Sequence, residues 1–411
     1  MKEIVVTGAG RIGAAIADML VAAGDYTVTV ADRSADQLAA LSSHPQISGV
    51  AVDLSDTKAL AAVLKGKFAL LNAAPYHLTV PIAEAAAEAG VHYLDLTEDV
   101  KSTRRVKEIA ASAETAFIPQ CGLAPGFITI AANSLAKRFD ALHDVRMRVG
   151  ALPQFPANAL NYNLTWSPEG VINEYCEPCE AIVDGEMKEV APLEGHEEFS
   201  LDGVRYEAFN TSGGLGSICE SLKGRVRNLN YRTIRYPGHA SIMKMLLNDL
   251  RLIERRDLLK EIFEHALPTT IQDVVVIFVT ITGLKNGRLV QESYANSVFA
   301  DPAGPTARSA IQKTTAAGIC TVLDLLANGK LPSKGFVQQE DIALEDFLAN
   351  RFGRTYQPKP GRRLRPLEAN SASSGFPLLA VPFRRHVTLR DRTSLHRVAQ
   401  CQTTGRLSAS F

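Results

Sequence analysis

The chain has 411 residues, 46% of them hydrophobic and 21% charged, with 44 Lys and Arg balanced by 44 Asp and Glu. That length accommodates two domains, and a formal net charge of zero excludes a chain-wide electrostatic pull toward nucleic acid or an anionic membrane. The six cysteines are mostly isolated, no apolar run is long enough to span a bilayer, and no apolar leader stands at the start, so the expectation is a cytoplasmic protein without a disulfide framework.

In chain order, residues 4–6 form a short apolar strand that runs into Gly8-Ala9-Gly10-Arg11-Ile12-Gly13. Helical spacing follows over residues 12–20, and a second strand over residues 26–30 ends at Asp32. This is the strand, glycine turn, helix, strand and carboxylate of a dinucleotide site. Gly8 makes the tight turn, Gly10 lets backbone approach a pyrophosphate, and Gly13 lets the helix pack on the strand. The N–H groups that open the helix at Arg11 and Ile12 face the phosphates. Asp32 is placed to accept both hydroxyls of an adenosine ribose, which favours NAD; Arg33 beside it offers a counter-charge to a 2′-phosphate.

The alternation continues with helices over residues 35–41, 57–64, 80–89 and 100–113 and strands over 50–52, 68–71, 92–96 and 116–119. Such alternation predicts a doubly wound parallel sheet, with ligands at the carboxyl ends of the strands. Asp53 and Leu54 fall where an adenine would lie. Asn72 and Ala73 end the next strand, Asp95 the one after, and Gly122 and Leu123 open a glycine-proline turn at residues 122–126 suited to close approach of a nicotinamide.

After a helix over residues 127–139 the rhythm changes. Strands over residues 145–149, 181–183, 205–209, 229–235, 274–281 and 294–299, with helices over 242–252 and 258–265 among them, predict a mixed sheet. An amphipathic helix over residues 307–326 returns to cover the first sheet. The reading is therefore an α/β protein: a Rossmann domain at 1–126, a substrate-binding and dimerising domain at 127–304, a return helix within 305–356, and a basic tail at 357–411, which holds ten Lys and Arg against Glu368 and Asp391.

Several side chains have more than one reading. Tyr76 and His77 follow the strand end at Asn72; Tyr76 reads as a substrate contact, and His77 equally as a general base or a hydrogen-bonded structural histidine. Asp95 either holds a substrate amine or caps the next helix. His239, after Pro237-Gly238, is a turn residue or a base. Cys176-Glu177-Pro178-Cys179 has no second pair for a zinc site, so no metal is expected. Trp166 reads as a core or interface aromatic.

The motifs GAGRIG (8–13), GLAPG (122–126), LNYNLTWSPEGVINEY (160–175), YEAFNTSGG (206–214) and YRTIRYPGH (231–239) resemble those of the saccharopine dehydrogenase superfamily, and within it the bacterial L-lysine 6-dehydrogenases. The resemblance runs through residues 1 to about 355. It implies a homodimer that binds a small amino-acid substrate and uses NAD to oxidise a C–N bond, with the ε-amine of L-lysine as the preferred site of oxidation and glutamate-forming oxidation of saccharopine as the alternative. It further implies that Thr233 and Arg235 grip the substrate carboxylate, that Thr211 and Ser212 make a second contact, and that Ala124 lies between cofactor and substrate. Saccharopine reductases usually carry an acidic residue where Ala124 stands.

Overall fold

The computed structural model describes residues 1–301 and 307–358. The basic tail therefore lies almost wholly outside the described residues. Six strands, β1 (Lys2–Thr7), β2 (Tyr26–Asp32), β3 (Ile47–Ala51), β4 (Ala69–Asn72), β5 (His92–Asp95) and β6 (Ala116–Ile118), form a parallel sheet. Their spatial order is β6-β5-β4-β1-β2-β3, the doubly wound arrangement whose order reverses between β1 and β4. Successive side chains of β1 serve opposite faces. Ile4 and Val6 join the cluster under α1 (Arg11–Val21), while Val5 joins the one under α3 (Thr57–Leu64), α4 (Thr79–Ala89) and α5 (Val100–Ala110). A short α2 (Ala35–Ala39) links β2 to β3.

Beyond α6 (Phe127–Ala136) lies the mixed sheet. Its central strand, β7 (Ala141–Pro153), is 13 residues long, and the predicted strand at 145–149 is only its middle. The helix α7 (Pro168–Cys176) is capped by Ser167 with a proline at its first turn; the polar and aromatic run before it masks this helix in the sequence. There follow β8 (Cys179–Val183), β9 (Glu186–Val190), β10 (Glu197–Leu201), β11 (Val204–Asn210), α8 (Ile218–Leu222), β12 (Val226–Arg235), α9 (His239–Lys244), α10 (Arg256–Ala266), β13 (Asp273–Lys285) and β14 (Arg288–Phe299). The sheet order is β10-β11-β12-β7-β13-β14, with β8 and β9 branching from β12. β12 pairs with β7 in parallel and the other neighbours are antiparallel.

The helix α11 (Ala310–Ala327) returns to the first domain and packs on α1. Tyr26 donates to Asp324 at 2.7 Å, and Arg308 pairs with Asp18 at 2.8 Å. A two-residue strand, β15 (Gly335–Phe336), then adds to the edge of the parallel sheet at β6, and α12 (Leu344–Ala349) and a 3-10 turn at Gly353–Tyr356 follow. Because this segment crosses back, one apolar core joins β1, α11 and the inner face of β13. Both sheets thus present their functional ends to a shared cleft.

Candidate active site

The glycine turn separates into packing and space. A Cβ on Gly13 would stand 1.8 Å from the carbonyl oxygen of Gly8, and one on Gly8, whose φ is +94°, 2.8 Å from that of Ala73. A Cβ on Gly10 would meet nothing within 4 Å. The open side of Gly10 lies where α1 begins without a side-chain cap, so the first N–H groups of the helix are available to an anion. Asp32 accepts from the Ala9 N–H at 2.7 Å and the Ser34 N–H at 2.8 Å, one on each carboxylate oxygen, which fixes the carboxylate beside the turn with a lone pair on each oxygen to spare. These residues fit a dinucleotide. Arg33 is exposed. The Asp53 carboxylate folds back onto the hydroxyl and N–H of Ser55, which hold it below the usual carboxylate range, and Leu54 is in the core.

A cavity of about 680 Å³ opens from Gly10, Arg11, Ile12, Asn72 and Ala73, past the turn at Gly122, Leu123 and Ala124, to Thr233 and Arg235 in the second domain. Ile311 and Gln312, at the start of α11, form part of its wall. The turn is held from behind. Gly126 would collide with the Gly122 carbonyl at 2.2 Å if it carried a Cβ, and Gly318 on α11 would stand 2.6 Å from the Cys121 carbonyl.

Asp95 does not reach this cavity. It is fully buried, accepts from the N–H groups of Thr97 (3.0 Å) and Gln120 (2.8 Å) and from the Tyr93 hydroxyl (2.9 Å), and so ties the end of β5 to the turn. Burial pushes its carboxyl up to about 6. Tyr76 and His77 sit on an exposed turn, ring edge to ring, and neither lines the cavity. His239 is buried; its Nδ1 meets the Leu160 carbonyl at 2.9 Å and its Nε2 the Tyr175 hydroxyl at 3.0 Å. Burial, reinforced by the Arg235 charge, holds it down at about 3. Neither nitrogen is free to take a substrate proton.

Arg235, at the end of β12, is 2% exposed yet borders the cavity. Its Nε donates to Tyr175 at 2.8 Å, and its Nη1 to the Thr233 hydroxyl at 2.7 Å and the Ile234 carbonyl at 2.9 Å. Its charge also lies over the Tyr162 ring, 5.2 Å from the centroid. Among the described residues no group bonds Nη2. Thr233 accepts from Arg235 and donates to the Val149 carbonyl at 3.4 Å, so it orients the guanidinium.

Two half-buried carboxylates that the sequence left without a role line the same cavity, as does the exposed Glu264. Glu98 follows β5, and Glu174 projects from α7. Neither has a hydrogen-bonding partner among the described residues. Burial, then the charge of Asp99, pushes Glu98 up to about 7. Burial, then the charge of Glu98, pushes Glu174 up to about 8, while Arg235 pulls against this. Thr211 and Ser212 do not line the cavity. The Ser212 N–H donates to the Glu174 carbonyl at 3.0 Å, and Gly213 packs against Glu98, where a Cβ would come 3.3 Å from that of Glu98. The stretch supports both acids from beneath. Trp166 lines the cavity, its ring lying across Gly170, where a Cβ would come within 2.4 Å. The strand-end rule of α/β sheets was the available signal for Glu98; Glu174 lay inside a recognised motif, but which face of α7 meets Arg235 is a tertiary fact.

The geometry has the two parts of a dinucleotide-dependent enzyme, a glycine-turn domain and a charged pocket facing it. Residues 4–118 match the saccharopine dehydrogenase NADP binding domain and residues 122–353 the saccharopine dehydrogenase C-terminal domain. The chain belongs to the saccharopine dehydrogenase family. It is 21% identical over 277 residues to the mitochondrial alpha-aminoadipic semialdehyde synthase of Mus musculus, covering 62% of this chain and 29% of that protein. To the carboxyaminopropylagmatine dehydrogenase of Synechocystis it is 28% identical over 273 residues, covering 62% of this chain and 66% of that one. The chain thus spans under a third of the length of the first curated relatives it matches. Glutamate-forming saccharopine dehydrogenase of Saccharomyces cerevisiae has the same fold, with a TM-score of 0.73 at 16% identity over 85% of this chain and 97% of that structure.

Proposed function

We propose that this protein is an NAD-linked dehydrogenase that oxidises the ε C–N bond of L-lysine to the 6-semialdehyde. The observation that carries the reading is the charge layout in the recess of the pocket: the buried Arg235 guanidinium, whose Nη2 has no partner among the described residues, faces the two recessed carboxylates Glu98 and Glu174, while the other charged lining residues, Arg11 and Glu264, are exposed. L-Lysine offers one carboxylate and two amines to match. Saccharopine would bring three carboxylates toward two. The Synechocystis relative, named for carboxyaminopropylagmatine, indicates that the family is not confined to saccharopine.

In this reading Arg235 holds the α-carboxylate through Nη2. The ε-amine, with a free pKa of about 10.4, must lose a proton before its carbon loses hydride. Glu174, pushed up to about 8, is suited to take that proton. When bound along Gly10–Ile12 and the 122–124 turn, a nicotinamide cofactor supplies the hydride acceptor. The carbon loses hydride, the nitrogen loses its second proton, and the resulting imine is hydrolysed with release of ammonia. Asp32 disfavours a 2′-phosphate by repulsion and supports NAD over NADP.

The test is a screen for reduced nicotinamide with L-lysine, saccharopine and L-ornithine, each with NAD and NADP. The expected outcome is turnover with L-lysine and NAD at the highest kcat/KM. Saccharopine as the preferred substrate would replace the lysine reading. An NADP preference would displace Asp32 as the selector while leaving the carboxylate and amine assignments standing.

A further inference from the structure

The side chains behind Arg235 form a chain of hydrogen bonds whose direction is fixed at both ends. A guanidinium only donates and a backbone carbonyl only accepts. Arg235 Nε donates to the Tyr175 oxygen at 2.8 Å, so the Tyr175 proton is directed onward. The group it meets, 3.0 Å away, is His239 Nε2, which must therefore accept. That leaves the histidine proton on Nδ1, where it donates to the Leu160 carbonyl at 2.9 Å. The buried, neutral state of His239 is what this polarity requires.

The chain is held in place from outside. Glu207, 3% exposed, accepts from the Gly238 N–H at 2.9 Å and the Ala240 N–H at 2.6 Å, clamping the turn that presents His239. Phe209 stacks on the His239 ring with an interplanar angle of 11°. Leu160 begins the segment that leads to Trp166 in the cavity wall, so the far end of the chain is tied to that wall.

We infer that Tyr175 and His239 are positioning residues for substrate recognition: they consume Arg235 Nε in a fixed direction and so leave Nη2 as the donor face turned to the substrate carboxylate. The inference rests on the reading of Arg235 as the carboxylate grip. Tyr175→Phe removes the acceptor of the buried Arg235 Nε–H, and the guanidinium turns to recover one. His239→Asn keeps a donor near the Leu160 carbonyl but loses the acceptor for Tyr175. His239→Gln places a carbonyl oxygen near the Nε2 position and retains that acceptor.

The chain's single tryptophan, Trp166, reports binding in this cavity by its fluorescence. Titrations with L-lysine and with saccharopine, which share the α-carboxylate, are compared across Tyr175→Phe, His239→Asn, His239→Gln and Arg235→Ala, with NAD binding and thermal melts alongside. The expected result is binding of the carboxylate ligand weakened roughly ten- to a hundred-fold in Tyr175→Phe and several-fold or more in His239→Asn. His239→Gln should return close to the wild type, and NAD affinity should be unchanged throughout. If Asn and Gln at 239 weaken binding equally, or neither Tyr175→Phe nor His239→Asn weakens it while Arg235→Ala does, the positioning role is wrong and the carboxylate reading stands. If Arg235→Ala leaves binding intact, or the wild type binds neither ligand, the carboxylate reading fails and takes the inference with it.

Discussion

In the proposed reaction Glu174 is the residue that takes the substrate proton, and it lines the cavity. Its carboxyl is pushed up to about 8 by burial and then by the Glu98 charge, against an unfolded value of about 4.3. A folded pKa above the unfolded one means that the folded state holds the proton more tightly. The associated stability is fully present below the unfolded value and is lost as pH rises through the folded one. The ligand-free protein should therefore lose melting temperature across that window, and Glu174→Gln, which cannot ionise, should show a flatter slope. L-Lysine, by bringing a cation to the carboxylate, should restore part of the loss at the alkaline end. The same variant should reduce turnover by roughly a hundred- to ten-thousand-fold and remove the rise in kcat/KM through the Glu174 titration. Equal melting slopes for wild type and variant would show that Glu174 is ionised well below this range. Unimpaired turnover would place the base elsewhere. Asp95 and His239 are no substitutes, because each already spends its polar atoms on the protein.

At the scale of elements, the strand-turn-helix of β1 and α1 uses its glycines for different ends, and substitution separates them. Gly13→Ala drives a methyl to 1.8 Å from the Gly8 carbonyl, so α1 must shift off β1, an overpacking worth about 1–3 kcal/mol or more. Gly10→Ala meets nothing in the protein. It should leave the melting temperature within a degree or two, as an uncrowded substitution does, yet weaken NAD binding by at least about tenfold, because the methyl occupies the approach of the pyrophosphate. A Gly10→Ala protein that binds NAD normally would put the pyrophosphate elsewhere. This turn was legible in the sequence because its chemistry is local: every part lies within thirty residues. The alternation of helices and strands through residue 118 was legible for the same reason. β9 was not, since Glu186-Met187-Lys188-Glu189-Val190 has no apolar alternation and owes its strand to pairing with β8, and β10, with only Phe199 and Leu201 apolar, was missed beside its partner β11. The helix after His239 passes into a π turn at Met245–Asp249 that periodicity does not announce. The motif drew attention to Arg235, which borders the cavity, whereas Glu98, Glu174 and Tyr175 come near it only because three distant segments meet; His239 was read as a turn residue or a base, since a sequence does not show that both ring nitrogens are occupied.

Across the whole of the described chain, the two sheets do not have separate cores. Ile4 and Leu20 of the first domain, Ile319 and Leu323 of α11, and Val275 and Ile277 of the second sheet are fully buried members of one apolar cluster. The polar ties follow the same path. Asp324 on α11 accepts from the Tyr26 hydroxyl at 2.7 Å, from Asn350 at 2.7 Å and from Arg351 at 2.5 Å, joining β2 to the segment that ends at Tyr356. If either domain unfolded alone it would expose its share of this cluster and leave those groups unpaired, so the intermediate has little to stabilise it. The expected outcome is one cooperative urea transition, with Trp166 fluorescence, which reports the second domain, superimposing on far-ultraviolet circular dichroism, which reports the helices of both. Asp324→Ala tests the coupling. It leaves the Tyr26 hydroxyl buried without its acceptor, a loss of about 1–3 kcal/mol, and because the bond lies between β2 and α11 the cost should fall on the shared transition. Both signals should move together to lower urea. A Trp166 transition that keeps its midpoint while the dichroism shifts would show that the second domain holds its fold without α11, and that the cleft is built between two units that open independently.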